Sequence, residues 1–242
     1  MTPFPDFSIR IIIYMYYLDM HTHRQAVEAE AVAIVCCLVE ADGKVDPTTA
    51  PYRSYGIHPC RIEGDGEAQW SALLRCVGQP ECVAIGEAGL DRLSPIAMSL
   101  QTTLFERQAV LAEQWRKPLI VHCVKAWEEL LACRKRLRPE QPWVIHGFRA
   151  KEPLARQLLR QGLYLSFGRY FQPEAARAAW PDRLLLETDE AAERISLVYE
   201  RMAAALGEDQ KALRDQIGRN SAFLRLKNTT FVANLRKEGA SL

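Results

Sequence analysis

Eight short apolar runs, rich in Val, Ile, Leu and Tyr, most constrain what these 242 residues can fold into. They span residues 15–21, 31–38, 53–58, 82–87, 118–122, 142–146, 162–167 and 183–188. Runs of this length without polar alternation read as strands buried on both faces, the condition of a parallel sheet. The stretches between the later runs carry helical periodicity. Leu100, Leu104, Leu111 and Trp115 share one helical face. Ile195, Val198, Tyr199, Met202, Ala203 and Leu206 repeat at helical spacing up to Gly207, a helix stop. Further helices are expected at 67–77, 125–136, 152–161 and 208–217.

Strands alternating with helices in a chain of this length predict an α/β fold, a single-domain (β/α)8 barrel of the TIM type. The connections 24–30 and 39–52 leave little room for a full helix, so the early crossovers are expected to be degenerate and the barrel irregular and compact. An open doubly wound sheet is the alternative, but no glycine-rich phosphate loop follows an early strand. The whole of 1–242 is read as one domain, with 1–14 an N-terminal extension and 228–242 a loosely held tail.

Lys plus Arg is 31 and Asp plus Glu is 30, a net charge of +1. That excludes binding to nucleic acid by bulk positive charge but leaves room for local basic groups. The seven cysteines are odd in number and form no Cys-x-x-Cys pair. Cys36, Cys37, Cys82 and Cys123 lie in apolar stretches, where thiols act as small hydrophobes, so a reducing, cytoplasmic setting is expected. The apolar run 11–18 is too short to span a bilayer and no small-residue cleavage site follows it, so it reads as a buried strand.

The five histidines are His21, His23, His58, His122 and His146. Four stand where strands end: Asp19-Met-His21-Thr-His23, Val121-His122 and Ile145-His146. Two further strands end in carboxylates, at Gly86-Glu87 and Glu187-Thr188-Asp189. The C-terminal rim of a barrel carries its active site. Residues two apart on an extended backbone face the same side, so His21 and His23 form an imidazole pair. One strand-end histidine is more often a core or surface residue than a ligand. Five strand ends each supplying a ligand-type residue point to a metal site.

The ordered elements Asp19-x-His21-x-His23, Gly56-Ile-His58-Pro, Gly86-Glu87-Ala-Gly-Leu-Asp91, Pro118-Leu-Ile-Val-His122, His146-Gly-Phe148, Ser166-Phe-Gly168 and Leu186-Glu-Thr-Asp189 resemble the TatD-related metal-dependent deoxyribonucleases of the amidohydrolase superfamily. The resemblance runs from about residue 17 to 225, with Asn220–Leu224 similar to the family's closing helix. It implies two divalent ions (Mg, Mn or Zn): His21, His23 and Asp189 holding one, His122 and His146 the other, and Glu87 bridging. A carboxylate can span two ions, and water between them ionises near neutral pH. Asp189 and Glu87 are thus the expected catalytic residues, with Asp189 orienting or deprotonating the water that attacks a phosphodiester.

The chain departs from the family pattern at Asp189-Glu190-Ala191-Ala192, at His146-Gly147-Phe148-Arg149-Ala150 and at Arg24 after His23. These changes spare every expected ligand and fall in loops expected to meet substrate. His58, Arg92, Lys125 and Arg149 are candidate substrate contacts, and Arg169 also follows a strand end closely. The bland readings are a turn histidine and solvated loop charges. Asp19 reads as a partner of a ligand or a strand-start residue. The basic run 134–138 reads as complementing a helix C-terminal dipole. The tryptophans are dispersed, and no base-stacking platform is evident.

The expected partner is DNA or a short oligonucleotide, with no membrane and no obligate protein partner. Two alternatives stand beside the deoxyribonuclease reading. One is another metallohydrolase of the superfamily, acting on a lactone, amide or phosphotriester; many of those bridge their metals with a carbamylated lysine where this chain has Glu87. The other is a non-catalytic, metal-stabilised binding module, whose mark would be a lost ligand.

Overall fold

The computed structural model describes residues 16–226 except 27, 41, 46 and 47. The expected extension 1–14, the first residue of the first run and the tail 228–242 lie outside the described residues.

Eight strands form one parallel sheet in sequence order: β1 (Tyr17–Thr22), β2 (Ala31–Leu38), β3 (Arg53–Gly56), β4 (Cys82–Asp91), β5 (Leu119–Val124), β6 (Trp143–Ile145), β7 (Tyr164–Phe167) and β8 (Leu184–Leu186). Among the described residues the sheet closes only at the rim. Thr22 bridges Asp189 in parallel, the Asp189 N–H donates to the His21 carbonyl at 3.0 Å, and the His23 N–H donates to the Asp189 carbonyl at 3.2 Å. The expected barrel is therefore present and nearly closed. Seven α-helices surround it among the described residues: α1 (Glu67–Cys76), α2 (Met98–Gln114), α3 (Trp127–Leu137), α4 (Glu152–Arg160), α5 (Pro173–Ala179), α6 (Ile195–Leu206) and α7 (Gln210–Asn220). The described residues of the first two crossovers contain no α-helix, as the short connections predict.

Several boundaries differ from expectation for local reasons. β4 continues past Glu87 to Asp91 because Ala88–Asp91 keep pairing with Val121–Val124 of β5. β3 stops at Gly56, since His58 caps a 3-10 turn over Pro59–Arg61 by accepting the Cys60 N–H at 3.0 Å. β6 and β8 end before His146 and Glu187, which belong to the loops of the rim. Helix α5 has no counterpart in the sequence reading: its sequence, Pro-Glu-Ala-Ala-Arg-Ala-Ala, buries only alanines and lacks a large-residue period.

Small and buried polar residues set the height of the rim. A Cβ on Gly89 would stand 1.9 Å from the His122 carbonyl oxygen, and one on Gly56 would stand 2.6 Å from that of Glu87. Glycine at both positions lets β4 approach its neighbours closely. Two buried glutamines of α2 reach the same strand ends. Gln101 accepts the Asp91 N–H at 2.7 Å and donates to the Asp91 carbonyl at 3.0 Å; Gln108 accepts the Ile57 N–H at 2.8 Å. At β8, Asn220 donates to the Pro181 and Leu184 carbonyls at 2.7 and 2.9 Å. The basic run ends α3 as expected, with Arg138 as a left-handed cap, Arg134 donating to the Gln161 carbonyl and Arg136 paired with Glu106. All seven cysteines are free. No described helix is long and apolar enough to cross a membrane.

Candidate metal centre

Every histidine of the chain reaches the Glu87 carboxylate. His21 Nε2 and His23 Nε2 each lie 3.5 Å from Oε2. On the other oxygen, Oε1, His146 Nε2 lies at 2.7 Å, His122 Nδ1 at 2.9 Å and His58 Nε2 at 3.1 Å. Asp189 Oδ1 completes the His21–His23 side, at 3.7 and 3.8 Å from their Nε2 atoms. The two carboxylate oxygens thus divide the imidazoles into two groups, and all six residues expected as ligands meet in one place.

Local structure explains the convergence. The period of two along β1 sends His21 and His23 to the same side, and register shifts in the β1 and β4 pairings accompany the approach to the site. Asp189 has φ +56°, a conformation that aspartate tolerates better than most residues. Asp19 holds this turn: Thr188 donates to its Oδ1 from the backbone at 2.9 Å and to its Oδ2 from the hydroxyl at 2.6 Å. Burial pushes the Asp19 carboxyl up to about 7 despite those bonds. Asp19 thus acts on the loop that carries Asp189, through Thr188.

The electrostatics suit cations. Burial opposes ionisation of Glu87, but the charge on His146 and hydrogen bonds from His122 and His146 outweigh it and hold the carboxyl well below its ordinary range. Burial likewise opposes charge on His146, yet Glu87 and the fully buried Glu187 hold its pKa well above the ordinary value. The hydrogen bond with Glu87 raises His23. His21 is 0% exposed, and neither of its ring nitrogens has a hydrogen-bond partner. Buried polar atoms are rarely left so, and ligation would satisfy one of them. Imidazole and carboxylate donors fit Zn, Mn or Mg, so these residues suit divalent ions.

Of the expected substrate contacts, His58 lies in this cleft, whose volume is about 380 Å3. Arg149 stands beside it, Nη2 3.9 Å from Asp189 Oδ2. Arg92 is engaged elsewhere, paired with Glu129 and donating to the Lys125 carbonyl at 2.8 Å. Lys125 is exposed and lines no part of the cleft.

Three residues that the sequence does not mark as part of the site stand beside it. Asp91 Oδ2 lies 3.1 Å from His122 Nε2 and accepts from the Cys60 thiol at 3.3 Å. Burial and this contact push the Cys60 thiol up to about 11. Buried Cys36 lies with His21, His23 and Glu87, their ligand atoms all within 4.8 Å of one another.

Comparison with known proteins identifies the family. The family described as TatD related DNase matches residues 44–222. The chain belongs to the TatD-related DNase family. Among curated relatives, the human 3'-5' RNA nuclease TATDN2 is 32% identical over 148 residues, which cover 56% of this chain and 19% of that protein. The 3'-5' ssDNA/RNA exonuclease TatD of Erwinia tasmaniensis is 32% identical over 145 residues, covering 55% of this chain and 56% of that protein. The chain spans about half or less of the length of these TatD relatives. The solved structure of YJJV, a TatD homolog from Escherichia coli, superposes with a TM-score of 0.74 at 21% identity, covering 87% of this chain and 98% of that one. At that identity the likeness establishes the TatD-type fold.

Proposed function

We propose that this TatD-family chain is a metal-dependent phosphodiesterase that acts on single-stranded nucleic acid. The observation that carries the reading is the division of four imidazoles, His21 and His23 against His122 and His146, between the two oxygens of Glu87. We assign His21, His23 and Asp189 to one divalent ion and His122 and His146 to a second, with Glu87 shared. Relatives named as 3'-5' nucleases of ssDNA or RNA support the substrate class. The net charge of +1 suits an enzyme that handles ends or short strands.

Divalent ions at these ligands supply Lewis acidity, which lowers the pKa of water and offsets charge at the phosphoryl group. Asp189 lies at the mouth with one oxygen toward the imidazole pair, placed to orient the attacking water and take its proton. The new bond joins water oxygen to phosphorus as the bond to the leaving nucleoside oxygen breaks. His58 contributes a donor: its Nδ1 accepts the Cys60 N–H, so the ring proton sits on Nε2, directed into the cleft. Such a histidine holds a phosphate oxygen rather than a metal. Glu87 fits the phosphodiesterase better than the lactone or amide chemistry of relatives bridged by modified lysine, and the retained ligand set argues against a non-catalytic module.

The test is a substrate panel of single-stranded DNA, RNA, duplex DNA, a lactone and an amide, each with Mg, Mn or Zn, on wild type and Glu87→Gln. Single-stranded nucleic acid is expected to be cleaved, with turnover by the variant below about a hundredth of wild type and its metal content reduced. Cleavage of lactone or amide without any nucleic acid would overturn the reading.

A further inference from the structure

Next to Asp189 the rim opens into a second cleft of about 290 Å3, lined by Arg149, Gly168, Arg169, Tyr170 and Glu190 among others. Tyr170 is 58% exposed. The Arg169 guanidinium lies 4.5 Å from its ring centroid and that of Arg149 5.7 Å, both within cation–π range. Arg149 also faces Asp189, so the ring, the cations and the reacting carboxylate form one continuous surface. Some of the loop residues singled out in the sequence, Arg149, Glu190 and Ala191, line the same cleft, whereas Arg24 and Ala192 line another.

We propose that this cleft is a base-stacking subsite: Tyr170 receives the base of a nucleotide next to the scissile phosphate, with Arg149 and Arg169 meeting the flanking backbone. An exposed ring gives a sequence-tolerant face for any base, and guanidinium groups both stack and bind phosphate in two-point fashion. A base can lie on Tyr170 only when it is unstacked from its own strand, so the subsite selects single strands and frayed ends over intact duplex. The chain carries a net charge of only +1, so local contacts of this kind must supply much of the affinity. The inference rests on the nuclease reading and adds the group that grips the strand.

The experiment measures the Kd of the metal-loaded protein for a short single-stranded phosphorothioate oligodeoxynucleotide by fluorescence anisotropy. Each position of the oligonucleotide is replaced in turn by an abasic residue. One abasic position is expected to weaken wild-type binding between about fivefold and a hundredfold, and Tyr170→Ala to weaken it comparably. Combining the two should cost little more than either alone, because both remove the same stack. Tyr170→Phe, which keeps the ring, should bind within about twofold of wild type. If wild type binds the oligonucleotide but Tyr170→Ala stays within twofold, or its loss adds fully to that of every abasic position, the subsite is wrong and the nuclease reading survives. If wild type binds no oligonucleotide, both fail.

Discussion

His122 is held between two carboxylates: its Nδ1 lies 2.9 Å from Glu87 Oε1 and its Nε2 lies 3.1 Å from Asp91 Oδ2. A divalent ion at Nδ1 would replace the proton that Nδ1 shares with Glu87, and Nε2–H donated to Asp91 would hold the ring in that tautomer. Asp91 is itself fixed by Gln101 on its backbone, and its Oδ1 accepts the Leu93 N–H at 2.7 Å. Asp91→Ala should therefore weaken divalent-ion binding by about 10- to 100-fold, as loss of such outer partners generally does. Asp91→Asn keeps an acceptor and should lose less. Calorimetric titration of the chelated protein with Mn checks this, and equal affinity in Asp91→Ala and wild type would remove the positioning role.

The same carboxylate governs Cys60. Its thiol donates to Asp91 Oδ2, and burial with this contact pushes its pKa up to about 11. Only thiolate is alkylated, so at pH 8 about one thousandth of the thiol is reactive. Cys60 should label slowly with iodoacetamide at neutral pH despite its exposure, and the rate should climb about tenfold per pH unit until near 11. Peptide mapping of labelled protein across pH gives the profile. A midpoint near the ordinary thiol value of about 8.5 would contradict it.

Much of this centre is legible in the chain because strand geometry is short-ranged. His21-x-His23 fixes two side chains on one side, and each remaining ligand lies at or just beyond a readable strand end. The barrel follows from the same apolar runs. What is not legible depends on register between strands. Asp91 lies beyond the Glu87 at which the apolar run ends, and only the pairing of Ala88–Asp91 with β5 brings it against His122. Gln101 and Gln108 look like polar positions of an amphipathic helix, yet both are buried against backbone groups. Cys36 reads correctly as a buried thiol, but its approach to His21, His23 and Glu87 depends on the pairing of the strands. Tyr170 is not legible for another reason: one of the cations on its ring, Arg149, comes from a different loop.

Gly89 carries no chemistry yet sets where His122 stands. An added Cβ would lie 1.9 Å from the His122 carbonyl oxygen and 2.7 Å from its carbonyl carbon, backbone atoms that a side-chain rotation cannot clear. Gly89→Ala must push β4 and β5 apart. Overpacking of this kind costs about 1–3 kcal/mol, which lowers Tm by roughly 2–12 °C in a chain of this size. Because the displaced strand carries a ligand, metal affinity should fall as well. Calorimetry and Mn titration of the same sample test both effects, and an unchanged affinity would separate the packing from the site.

Asn220 offers the contrasting case, a residue that braces the barrel far from the ligands. Its Nδ2 donates to the Pro181 and Leu184 carbonyls, and its Oδ1 accepts from Gln216 at 2.9 Å. These bonds fasten the end of α7 to the start of β8, the strand that leads to Asp189. Asn220→Ala leaves two carbonyls without this donor at a cost of about 1–3 kcal/mol, a fall in Tm of roughly 2–12 °C. The rim is independently tied, since the backbone of Asp189 bonds with those of His21 and His23 and Thr188 bonds with Asp19. Metal affinity at 25 °C should therefore stay within about threefold of wild type. A variant that lost metal as steeply as Asp91→Ala would mean that the strand start and the rim move as one unit.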